Sequence, residues 1–333
     1  MPTTYRAVMI TRPGGPEVLQ TVDLPLVEPG PGEIRVRVRA CGVGATDLTM
    51  LAGNYPFAPR MPFVAGYETA GVVEALGAGV TGFDVGQRVA ALTVYGGFGE
   101  ILVRGAEHFV PIPDKVSDVE AVAVTLNYVS AWQMIHRVAK VQAGQTALVT
   151  GAGGGVGTAM LQLLQLAGVK IYGAASARKR ALVARLGATP IDYQAGPIDR
   201  QLRAHEPTGV DFAFDAIGGA NIAKCLRAVR RGGMIIGYGF MAADGALAKA
   251  RMFFDLFVAA RLRDRRGRLY GISLLYRKDA KPFHEDLPKI FALVAAKKIA
   301  PVVAAVFPLL EAKRALELLT TGAVEGKIVL TCD

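Results

Sequence analysis

TALVTGAGGGVGTAMLQLLQLAG, residues 146–168, passes from a β-prone run through a glycine-rich turn into a Leu/Gln pattern of helical period. Strand, tight turn and helix in that order are the start of a dinucleotide-binding βαβ unit. In the GxGxxG fingerprint the first glycine permits the turn. The second lets backbone approach pyrophosphate, and the third allows helix and strand to pack closely. Ala152, Gly154 and Gly157 occupy those places, and the amides opening the helix offer unpaired N–H groups and a positive dipole end to phosphate. Residues 141–169 are uncharged over more than the roughly 20 residues a membrane helix needs. The glycines at their centre make strand, turn and helix the better reading, so no membrane segment is expected.

Working outward, short apolar strands at 170–174, 189–192, 211–215 and 233–237 alternate with helical runs, the mark of βαβ repeats and a doubly wound parallel sheet. Upstream of about residue 124 the texture is different. Short β-segments at 6–10, 18–22, 33–40, 71–76, 87–92 and 101–103 are separated by Pro-Gly, Gly-Pro and Gly-Gly turns. After residue 280 come a helix at 285–297, a strand at 302–307, a helix at 309–319 and a strand at 327–330.

Composition bounds the rest. A chain of 333 residues, 52% apolar and 20% charged, is long enough for two domains and too apolar for a disordered or fibrous polymer. Cys41, Cys225 and Cys332 are too widely spaced for a zinc module and too few for a disulfide framework, which fits a reducing compartment. The opening MPTTYRAVMITRPGG lacks a basic-then-apolar signal pattern, so a cytoplasmic location is expected. His108, His136, His205 and His284 show no metal spacing and read as surface or structural residues.

The net charge of +10 permits nucleic acid, membrane surface or an anionic ligand. Arg35, Arg37 and Arg39 alternate with apolar residues and read as the wet face of a half-buried strand. The denser run Arg261, Arg263, Arg265, Arg266 and Arg268 reads as a solvated helix end or subunit contact rather than a phosphate groove.

The dinucleotide is chosen about 20 residues past the turn, where an NAD-binding fold places an acid on the ribose 2′-hydroxyl. From Thr158 through Pro190 there is no Asp or Glu, and the second strand is followed by Ser176, Arg178, Lys179 and Arg180. A 2′-phosphate is attracted by such a cluster, each charge-assisted hydrogen bond contributing roughly 1.5–3 kcal/mol. NADPH is therefore predicted over NADH.

Five further segments carry a family resemblance: CGVGATD (41–47), GYETAGVV (66–73), GFDVGQRV (82–89), FDAIGG (214–219) and EGKIVL (325–330). With the glycine turn, they make the chain similar to the medium-chain dehydrogenase/reductase superfamily, and within it to the zinc-free quinone oxidoreductase branch that includes zeta-crystallin-like proteins. The resemblance implies an α/β fold in two parts. A GroES-like β domain would be built from residues 1–124 and 280–333, and an inserted Rossmann NADP-binding domain from residues 125–279, with the active site in the cleft between. Zinc-dependent relatives have a cysteine ligand where this chain has Gly44 and a histidine ligand where it has Tyr67, so no metal is expected. An activity of the EC 1.6.5 type is implied, NADPH:quinone reductase-like hydride transfer to a quinone or conjugated C=C–C=O compound.

The same resemblance assigns roles to single residues. Tyr55 and Tyr67 are the catalytic candidates, Tyr55 as proton donor. The nicotinamide side maps to Gly44, Thr46, Asn127 and Ser130, though relatives often carry Asn at the place of Gly44. Pyrophosphate falls to Gly151, Ala152, Gly153, Gly154, Gly155, Val156 and Gly157. The 2′-phosphate falls to Ser176, Lys179 and Tyr193, and nicotinamide to Ile217, Gly237, Tyr238, Gly239 and Phe240. Two alternatives stand beside this reading: an enoyl-thioester (enoyl-CoA) reductase whose basic surplus attracts coenzyme A phosphates, and a crystallin-like NADPH- and RNA-binding protein. Nucleic acid is not the expected partner, since no motif beyond charge supports it. Pairing of an edge strand at 268–272 across a two-fold axis, as in relatives, implies a homodimer.

Overall fold

The computed structural model describes residues 3–240, 242 and 245–332. The chain divides into two compact units, Met1–Val129 with Leu275–Asp333, and Ser130–Leu274.

The first unit is GroES-like and built on β-strands. Its N-terminal strands are β1 (Thr4–Ile10), β2 (Leu19–Pro25), β3 (Glu33–Val43), β4 (Phe63–Val64), β5 (Glu68–Leu76), β6 (Arg88–Leu92), β7 (Ile101–Gly105) and β8 (Phe109–Pro111). β2, β1 and β4 form a small antiparallel sheet. The tail strands, whose labels follow those of the second unit, are β15 (Val303–Pro308) and β16 (Lys327–Thr331). They complete a seven-stranded sheet of order β15-β16-β3-β5-β6-β8, with β7 also on β3. The antiparallel register Leu330 to Cys41 puts β16 directly against β3.

β3 shows why alternation works and where it stops. Ile34, Val36, Val38 and Ala40 are buried, while Arg37 and Arg39 face solvent. Arg35 departs from the wet-face reading, being 8% exposed. Its guanidinium is held by Glu28 at 2.9 Å and Glu74 at 3.0 Å, and that pairing offsets the cost of burial. From Cys41 onward the strand is buried on both faces, so period two ends there.

The second unit contains β9 (Thr146–Thr150), β10 (Lys170–Ala175), β11 (Thr189–Asp192), β12 (Val210–Asp215), β13 (Val229–Gly237) and β14 (Arg266–Leu269). They make one parallel sheet of order β11-β10-β9-β12-β13-β14, the doubly wound Rossmann order whose switch point lies between its first and fourth strands, β9 and β12. Leu148, Tyr172, Ile191, Ala213 and Ile235 contribute to its buried core. The edge strand is Arg266–Leu269, not 268–272. Tyr270 leaves it by turning inward, its hydroxyl donating to Gln133 Oε1 at 2.9 Å, and Ile272 opens the helix Ile272–Lys278. Among the described residues no helix is long and apolar enough to cross a membrane.

Candidate active site

At the carboxyl end of β9 the chain turns through Gly151, whose φ of 64° lies in the left-handed region open to glycine. It then enters the helix Gly155–Leu166 with Gly154 as N-cap. Ala152 is buried, its N–H donating to Ala174 O of β10 at 3.1 Å. A Cβ on Gly157 would collide with Gly151 O and lie 2.8 Å from Ala152 Cα. Turn and helix are thus in backbone contact, which is what the third fingerprint glycine permits. At Gly153 a Cβ would meet Lys179 Cδ at 2.6 Å, so the lysine's aliphatic stem lies over the turn. Gly155 and Val156 form the helix's first residues.

β12 braces the other side of the switch point. Thr150 Oγ1 donates to Asp215 Oδ1 at 2.6 Å, and Gly218 N–H donates to Asp215 Oδ2 at 2.6 Å. Ile217 Cδ1 lies 3.9 Å from where a Gly151 Cβ would be. Tyr238 N–H donates to Asp215 O at 2.9 Å, and a Cβ on Gly239 would strike Ala216 O. The segments following β12 and β13 are therefore packed backbone to backbone, with Gly237 ending β13 and Phe240 exposed beyond it. The Tyr238 hydroxyl is buried without a hydrogen-bond partner among the described residues, and burial raises its pKa. The β10/β11 register pairs Ala175 with Asp192, so Ser176 and Tyr193 follow side by side at the carboxyl ends. Tyr193 is 54% exposed, and Ser176 accepts Lys179 N–H through its carbonyl at 2.9 Å.

In the first unit the two candidate tyrosines meet. Their hydroxyls are 2.7 Å apart, with the rings edge to face at 5.9 Å. Tyr55 is half-buried and Tyr67 is 2% exposed. Burial first, and then the Tyr55 phenol, pushes the Tyr67 pKa well up. Gly44 caps the helix Ala45–Leu51, and Thr46 stands half-buried in its first turn. Asn127 and Ser130, in the helix Asn127–Trp132, are both buried.

Three charged residues outside the sequence candidates lie together in this unit. Lys327, at the start of β16, pairs with Glu68, at the start of β5, and both are buried. Asp47 Oδ2 accepts the Gly44 N–H at 2.8 Å. A Cβ on Gly44 would lie 3.7 Å from Lys327 Nζ and 4.0 Å from Asp47 Oδ2, so the bare glycine leaves ammonium and carboxylate close together. Burial, and then Glu68, raise the Asp47 pKa to about 7. Burial also raises Glu68, against the opposing pull of Lys327. The signal available in the sequence was a charge inside each of two otherwise apolar runs, GYETAGVV and EGKIVL.

The comparisons with known proteins agree with this architecture. Residues 30–114 match the family model described as alcohol dehydrogenase GroES-like domain, and residues 186–330 match the one described as zinc-binding dehydrogenase. Human synaptic vesicle membrane protein VAT-1 homolog-like is 31% identical over 98% of this chain and 81% of its own length. The quinone oxidoreductase of Pseudomonas syringae pv. Tomato DC3000 superposes with a TM-score of 0.88 at 27% identity, covering 98% of this chain and 99% of that one. A mycobacterial protein solved in complex with NADPH superposes with a TM-score of 0.84 at 28% identity, with coverage of 98% and 99%.

Proposed function

This chain belongs to the quinone oxidoreductase branch of the medium-chain dehydrogenase/reductase superfamily, and on that premise we propose that it uses NADPH to reduce a quinone or a conjugated C=C–C=O acceptor, an activity of the EC 1.6.5 type. The observation that carries the choice of cofactor is Lys179 lying over Gly153 in a stretch free of acids from residue 158 to 190. Gly151 to Gly157 fit a pyrophosphate, and Ser176, Lys179 and Tyr193 fit a ribose 2′-phosphate. When bound, NADPH supplies the hydride.

Zinc does not fit these residues. At the two positions where zinc-dependent relatives carry ligands, Gly44 offers no side chain and Tyr67 is hydrogen-bonded to Tyr55. An ammonium group lies close by, and among the described residues no three His, Cys, Asp or Glu side chains gather to hold a metal. A catalytic zinc needs about three protein ligands.

The proton falls to Tyr55. Its phenol is the more exposed of the pair and donates to the oxygen of the developing enolate or hydroquinone. Tyr67, held protonated by burial, then donates its own O–H to the phenolate left at Tyr55, 2.7 Å away. A hydrogen bond to an ionised acceptor is the strong kind, so the buried tyrosine favours release of the proton from its neighbour.

An enoyl-thioester acceptor is the less favoured reading, because Arg261 to Arg266 lie at the amino ends of the Rossmann strands, away from the glycine turn. A homodimer is supported by β14, which ends its sheet with an open edge. Three free cysteines support a cytoplasmic location.

The test is stopped-flow oxidation of NADPH and NADH against benzoquinone, naphthoquinone, an alkenal and crotonyl-CoA, with Tyr55→Phe beside the unchanged protein. Turnover of quinone or alkenal with NADPH is expected to fall about 100-fold in Tyr55→Phe. Turnover of crotonyl-CoA alone, or equal use of NADH, refutes the assignment. Unaltered rates in Tyr55→Phe remove the phenol from the mechanism.

A further inference from the structure

We propose that the amino-terminal end of the Rossmann sheet carries a second anion site, separate from the dinucleotide turn, that takes a polyphosphate anion of nucleoside di- or triphosphate size.

The site is an open surface depression of about 440 Å³ lined by Gly232, Arg261, Asp264, Arg265 and Arg266, larger than one phosphate requires. Its walls come from a bulge at Gly232 within β13 and from the turn between the helical residues 260–262 and β14. Bulge and turn are tied together by Gly232 N–H donating to Asp264 O at 2.7 Å, and both residues are in the left-handed region, Gly232 at φ 73° and Asp264 at φ 56°. Arg265 is fixed in place. Its Nε donates to Val229 O and its Nη1 to Arg263 O, each at 2.7 Å, so its guanidinium is already positioned before any ligand arrives.

Charge supplies the rest of the argument. Arg203, Arg231 and Arg263 stand close enough to Arg265 to lower its pKa, after burial itself. Elsewhere Arg6, Arg35, Arg88 and Arg314 each have a carboxylate partner. Among the described residues Arg231, Arg261, Arg263 and Arg266 have none, and Asp264 is the one acid in the lining. A preorganised fork with uncompensated guanidinium groups around it is the chemistry that recognises clustered phosphates. The depression lies at the amino ends of β13 and β14, whereas the glycine turn and the segments after β12 and β13 are at the carboxyl ends. The two sites therefore do not compete.

The test uses the full chain and three probes: inorganic tripolyphosphate, ATP without magnesium, and a single-stranded RNA oligomer, titrated calorimetrically in low and physiological salt with and without saturating NADPH. Tripolyphosphate and ATP are expected to bind saturably and equally well in the presence of NADPH. Binding is expected to weaken about tenfold or more in Arg261→Glu/Arg266→Glu, while that variant's NADPH affinity and melting temperature stay unchanged. If the charge reversal unfolds the unit, Arg261→Gln and Arg266→Gln singly report the same loss. Absence of tripolyphosphate binding in low salt overturns the proposal, as does displacement by NADPH or indifference to the variants. RNA binding far tighter than either small probe, with the steep salt dependence of many phosphate contacts, also overturns it and assigns the cluster to nucleic acid.

Discussion

Replacing Lys327 with methionine keeps most of the length of the side chain and removes the cation that faces two buried carboxyls. Glu68 is fully buried and Lys327 is 3% exposed, so water does not reach in to solvate what remains. Breaking such a pair by deleting one partner costs about 3–5 kcal/mol, because an uncompensated charge is left inside. The loss is expected to depend on pH. Burial already pushes Glu68 above the usual carboxylate range against the pull of Lys327. Without that pull, the folded variant takes up a further proton at Glu68, and each pH unit over which it does so is worth about 1.4 kcal/mol. The folded form binds more protons than the unfolded, so stability falls as pH rises. Lys327→Met should therefore be close to the unchanged protein at pH 5.5 and near the full deficit at pH 8.5, measured by scanning calorimetry. Glu68→Gln/Lys327→Met removes both charges and should recover half or more of the deficit at pH 8.5. An equal deficit at the two pH values, or a double variant no better than the single one, would refute the electrostatic account.

Asp47→Asn isolates the other carboxyl. Its folded pKa of about 7 exceeds the ordinary 3.8, so the unchanged protein loses stability as pH rises from about 4 to about 7. The substitution should flatten that window in calorimetric scans, while the new amide oxygen still accepts the Gly44 N–H. Lys179→Ala should raise the KM for NADPH about 10- to 150-fold, the value of one charge-assisted hydrogen bond, and leave that for NADH nearly unchanged; parallel shifts for both cofactors would deny the lysine its phosphate. Gly157→Ala forces its new methyl against Gly151 O and Ala152, which should cost about 1–3 kcal/mol of overpacking and abolish tight NADPH binding, read by fluorescence titration and melting temperature together.

Much of this was legible because the relevant signals are local. The turn after β9 is announced by its glycines, and β3 by its alternation, since both depend on residues a few positions apart. What escaped depends on distance along the chain. Lys327 and Glu68 are 259 residues apart, and each alone reads as a charge in an apolar run. Arg35 was misread for a similar reason, because its partner Glu74 comes from β5. The tail strands could be assigned to the β unit only by family likeness, as periodicity cannot say which sheet a strand joins. At β14 the strand stops before an extended run would, since Tyr270 finds a buried partner in Gln133.

The position of β16 in the middle of its sheet, against β3, orders events at the ribosome. Every strand of the Rossmann unit is translated before residue 275, so that unit has all its strands before the last segment is made. The β unit has to wait. Until residues 327–331 are made, β3 lacks its neighbour along residues 40–43 and Glu68 lacks Lys327, so the β unit is the later of the two to have all its parts.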